Sequence, residues 1–129
     1  MFSIVRCCGV RLPGGIRKWV KLARLAGFEG TLYLRGFRPH DHERNGRIVL
    51  GRQFGNRIIV NVQAPCGHVS VQVDPLSTFA HELGHWTRQR NGLKNTNGID
   101  FKSNTAQAKD PIEAYCDRYA RRLLKRLRD

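Results

Sequence analysis

Long apolar runs are missing from this chain, and nothing in it approaches the roughly 18 residues of a membrane-spanning helix. The N-terminus also lacks the extended apolar region of a secretory signal, since Arg6 is followed by Cys7 and Cys8. These absences predict a soluble, cytoplasmic protein. The four cysteines, Cys7, Cys8, Cys66 and Cys116, include no CxxC pair, so neither a zinc ribbon nor a redox dithiol is suggested and free, partly buried thiols are the expectation. There are no internal repeats or low-complexity tracts. Acidic residues are scarce too, only 10 against 23 Lys and Arg, for a formal charge of +13.

Such a charge attracts nucleic acid, anionic membranes or acidic proteins without choosing among them. The cations are spread, with 12 before Ile58, five from Arg88 to Lys109 and six from Arg118 onward, a pattern of a basic surface more than of a tail. With 129 residues and 40% hydrophobic content, the chain can bury a modest core, so residues 1–129 are expected to form a single domain.

Breakers and periodicity outline the elements. After Pro13-Gly14-Gly15, apolar Ile16, Trp19, Val20, Ala23 and Ala26 recur at helical spacing until Gly27 offers a stop, predicting a helix over 16–26. Thr31–Arg35 reads as a strand, followed by a polar loop from Phe37 to Gly46 that holds His40-Asp41-His42-Glu43. Those two histidines sit on a loop without matched ligands elsewhere, and the main chemistry is not expected there. Arg47–Gln53 and Arg57–Gln63 read as a hairpin around Phe54-Gly55-Asn56, and strict alternation from His68 to Val73 predicts another strand. The expected fold class is α+β with a small, mostly antiparallel sheet.

Asp74-Pro75 is a cap-and-proline signal opening a helix that runs to Asn91-Gly92. Residues 93–109 read as an extended polar loop, and Asp110-Pro111 repeats the signal at the start of a final helix. The first of these helices carries His81-Glu82-Leu83-Gly84-His85, an HExxH motif that arises by chance in about 0.6% of chains of this composition. Residues four apart share one helical face, so both imidazoles can reach one Zn²⁺ ion. Glu82, one position round the helix, can meet a metal-bound water as general base.

A catalytic zinc site needs a third protein ligand. The metzincin continuation would require Gly and His or Asp where this chain has Arg88 and Asn91. The final helix offers Glu113 and Asp117, four apart on one face, one to bind the metal and the other to orient a ligand histidine. Glu113 is the leading ligand, ahead of Asp117, with Asp100, Asp110, His68 and Cys116 as further alternatives. Tyr115 and His68 are weak candidates for stabilising an oxyanion.

HExxH over 81–85, followed by Glu113-Ala114-Tyr115-Cys116-Asp117-Arg118-Tyr119-Ala120, resembles the zincin metallopeptidases of the gluzincin type. It is similar in particular to the ImmA/IrrE-like group, whose second motif often reads EAxADRFA. The resemblance covers about a quarter of the chain, with Tyr115, Cys116 and Tyr119 departing from the commoner residues. It implies a minimal zincin-like domain in which His81, His85 and Glu113 hold Zn²⁺, Asp117 supports a ligand and Glu82 drives hydrolysis of a protein or peptide substrate. Two alternatives stand beside it: a basic nucleic-acid-binding protein and a non-catalytic interaction module, each with a structural zinc.

Overall fold

The computed structural model describes residues 2–7, 12, 14–36, 50–62, 74–92 and 111–128. In chain order these form β1 (Ser3–Arg6), α1 (Ile16–Ala26), β2 (Thr31–Arg35), β3 (Gly51–Phe54), β4 (Arg57–Asn61), α2 (Pro75–Arg90) and α3 (Pro111–Arg128). The predicted strand at 68–73, the His40–Glu43 loop and the loop over 93–109 lie outside the described residues, as do Asp100, Asp110, Cys8 and Cys66.

The architecture is α+β, but the sheet is mixed. Its strand order is β1-β2-β4-β3, with β1–β2 and β2–β4 parallel and only β3–β4 antiparallel. The expectation of a mostly antiparallel sheet is therefore corrected. Two features account for the difference. Helix α1 is the crossover that makes β1 and β2 parallel, and β1 is a four-residue strand that periodicity does not reveal. The hairpin forms as its turn chemistry requires, tightened to Gly55-Asn56 with Gly55 at φ 55°, but β4 returns between β3 and β2.

Alternation along the inner strands decides which sheet face is covered. Leu32 and Leu34 on β2 stand opposite Ile58 and Val60 on β4, and all four are fully buried. Against them lie Trp19 and Leu22 of α1, Phe79, Leu83 and Trp86 of α2, and Ala120 and Leu123 of α3. The Trp19 and Phe79 rings stack at 5.3 Å, and Phe28 meets Trp86 edge-on at 5.2 Å. The three helices thus share one core on that side of the sheet.

Helix α2 is tied down along its length. The Asp74 carboxylate accepts from the Ser77 amide at 3.3 Å and the Ser77 hydroxyl at 2.8 Å, and Pro75 occupies the first turn, where its missing N–H costs nothing. Trp86 Nε1 donates to Asn56 Oδ1 at 3.0 Å, and Gln53 is hydrogen-bonded to Gln89, which joins α2 to the β3–β4 hairpin. A side chain on Gly51 would stand 2.6 Å from Thr78 and 3.1 Å from the Glu82 Cγ, so this strand approaches α2 closely only because it has glycine there.

Candidate metal centre

The two helices that carry the motifs pack directly on each other. A Cβ on Gly84 would lie 3.1 Å from the Cys116 Cα and 3.4 Å from its Sγ, so the absent side chain lets α2 and α3 approach at the level of the histidines. This contact delivers Glu113 to the His81–His85 face. Glu113 Oε2 lies 2.8 Å from His81 Nε2, and Glu113 Oε1 lies 3.0 Å from His85 Nε2. One turn further along α3, Asp117 Oδ1 lies 2.8 Å from His81 Nδ1. His81 is therefore held between two carboxylates, and the imidazoles sit 5.1 Å apart between ring centroids.

The electrostatics follow from this geometry. Burial works against the His81 imidazolium, but the Glu113 hydrogen bond and the charges of Glu82, Glu113 and Asp117 outweigh it and raise the pKa to about 9. His85 is raised by the same balance, with burial opposing and the Glu113 hydrogen bond and the Glu82 charge prevailing. Burial pushes Glu113 upward as well, yet its hydrogen bonds to the two histidines hold it well below the usual carboxylate range. For Glu82 burial wins: the residue is 6% exposed, its pKa is raised, and its Oε2 has no hydrogen-bond partner among the described residues.

The donors suit a zinc ion. His81 and His85 offer imidazole nitrogens and Glu113 a carboxylate, donor types that hold zinc, and one Glu113 oxygen lies against each Nε2. His81 Nε2 would give up its proton, while Nδ1–H continues to donate to Asp117, the hydrogen bond that fixes a metal-binding tautomer. The orphaned, buried Glu82 oxygen beside such a centre is otherwise an uncompensated cost.

Cys116 adds a competing donor. Its sulfur, the His81 and the His85 ligand atoms all lie within 4.8 Å of one another. The thiol is free and buried; burial, and then the charges of Glu113 and Glu82, push its pKa up and disfavour the thiolate that metal binding requires. Cys7 is also free. In the sequence Cys116 is one of several alternatives behind Glu113 and Asp117, and its distance from the histidines depends on where α2 and α3 cross.

Tyr115 stacks on Tyr119 at 6.2 Å and carries the Arg88 guanidinium over its ring at 5.1 Å. Tyr119 accepts a hydrogen bond from Thr87 at 3.1 Å, a further tie between α2 and α3. His68 lies outside the described residues. Sequence reasoning missed Gly51, whose lack of a side chain leaves room for Glu82. A lone glycine in a strand signals a close approach without naming what approaches.

No family profile, curated protein or solved structure gives a significant match to this chain. Among the described residues no helix is long and apolar enough to cross a membrane.

Proposed function

We propose that the chain is a zinc-dependent metallopeptidase, a minimal zincin-like domain of gluzincin type that hydrolyses peptide bonds. The observation that carries the reading is the Glu113 carboxylate placed across both Nε2 atoms, 2.8 and 3.0 Å away, with a buried Glu82 next in sequence to His81. His81, His85 and Glu113 are the residues that would hold the metal, and Glu113 is preferred to Cys116 because its oxygens already converge on both imidazoles as an ionised carboxylate. A zinc ion held this way would acidify a water and polarise a scissile carbonyl.

The chain's own residues do the rest. Glu82 receives a proton at its carboxylate and later returns it to the leaving amine; burial, by raising its basicity, suits it to both transfers. Asp117 accepts from His81 Nδ1 and so fixes the imidazole in an orientation that would offer Nε2 to a metal. With His81, His85 and Glu113 as its protein ligands, a zinc ion would retain a position for water and substrate, as catalytic rather than structural zinc does.

The test is cleavage of a peptide library by wild type and Glu82→Gln. The reading expects metal-dependent cleavage that falls by about 10²–10⁴-fold in the variant while bound zinc is unchanged. Bound zinc with no cleavage, or cleavage indifferent to Glu82, would remove the peptidase and leave a structural zinc.

A further inference from the structure

We propose that the outer faces of α1 and α3 form one phosphate-binding surface for nucleic acid. The inference is independent of the metal centre and does not rest on hydrolysis. Both helices spend their apolar sides on the shared core, Trp19 and Leu22 from α1, Ala120 and Leu123 from α3. The opposite sides carry four Lys and Arg on α1 and six on α3, every one exposed. Helix α1 has no acidic residue, and both carboxylates of α3, Glu113 and Asp117, are engaged by the histidines. Lys21 Nζ donates to the Leu127 carbonyl at 3.3 Å, which joins the middle of α1 to the end of α3 and merges the two basic faces into one field.

The fold itself does not account for these charges. Cations in the last turn of α3 complement the helix dipole, but Arg118, Arg121 and Arg122 lie earlier, and Arg17 sits in the first turn of α1, the unfavourable end. Cations three and four residues apart, such as Arg118 with Arg121 and Arg122, repel each other. A ligand of opposite and repeating charge offsets both costs.

The chemistry selects a nucleic acid among polyanions. Surface-bound amphipathic helices bury their apolar faces in lipid, whereas these apolar faces are already in the protein core, and only Ile16, at the start of α1, is a large exposed hydrophobic on either helix. Seven of the ten cations are Arg, whose planar fork pairs bidentately with phosphate. From Arg118 to Arg128 they extend along about 15 Å of helix, which matches a backbone with a phosphate every 3.4 Å or so per strand.

The experiment is fluorescence anisotropy of labelled duplex DNA and of single-stranded RNA of equal length, titrated with the full chain over a range of salt. Arg121→Gln/Arg122→Gln is compared with Arg6→Gln/Arg57→Gln, which removes the same charge from the exposed sheet residues. The expected result is binding whose logarithm falls with log salt at a slope of about −4 to −5, reduced by about 2 and weakened at least about tenfold in the α3 pair but nearly unchanged in the sheet pair. The stronger of the two nucleic acids identifies the source of the phosphates. If the α3 pair misfolds by circular dichroism, Lys21→Gln/Arg24→Gln on α1 makes the same comparison. Equal losses from both pairs, no salt-sensitive binding, or tighter binding to anionic vesicles or polyglutamate at matched salt would overturn the proposal.

Discussion

His81 makes two bonds that matter for different reasons, one through Nε2 to Glu113 and one through Nδ1 to Asp117. The second would remain in a metal-bound state, so Asp117→Ala is expected to weaken zinc affinity by about 10–100-fold while leaving the helices folded, as read by competition with a chromophoric chelator. Proton linkage gives a second prediction. Burial disfavours the His81 imidazolium, but its carboxylate partners raise its pKa to about 9 in the metal-free chain, so zinc must expel a proton to bind at neutral pH. Zinc affinity therefore rises as pH is raised from about 7 and levels off above about 9, with protons released into a weak buffer during titration. The sign for metal-free stability is opposite on that side: the raised His81 pKa contributes fully below 6.5 and is lost through about 9, whereas the depressed Glu113 contributes above the usual carboxylate range and is lost on acidification. Thermal melting of zinc-free protein across that span checks both limbs.

Packing between α2 and α3 decides whether these residues meet at all. Gly84 stands against the Cys116 backbone at the level of the two histidines, and Glu113 comes from the preceding turn of α3. Gly84→Ala is expected to force the helices apart, cost about 1–3 kcal/mol of stability and weaken zinc binding in the same variant. A variant that keeps wild-type melting and zinc affinity would show that the contact has slack. Elements of this kind were legible where local chemistry specifies them. Gly27 at φ 69° ends α1, Asp74 and Pro75 open α2, and the i, i+4 spacing of His81 and His85 shows in the letters. What the letters do not carry is which histidine Asp117 meets, because that depends on how two separated helices cross. The parallel pairing of β1 was hidden for a similar reason: Ser3–Arg6 is short, and its partner lies beyond a whole helix.

At the scale of the molecule, the chemistry and the charge occupy different parts of one small fold. The histidine-carboxylate cluster lies where α2 meets the first half of α3, close to β3 through Gly51 and Glu82, while the basic face extends along the outside of α1 and the rest of α3. Both depend on α3, whose inner side closes the metal centre and core and whose outer side is almost wholly cationic. The α+β class is legible in the sequence, whereas the mixed order of the sheet depends on long-range crossovers. The most direct measurement of the central claim is zinc content by elemental analysis of purified wild type, Glu113→Ala and Cys116→Ser under metal-replete conditions. About one zinc per chain is expected in wild type and Cys116→Ser, and a marked loss in Glu113→Ala. No zinc in wild type, or zinc lost with Cys116 and kept without Glu113, would contradict it.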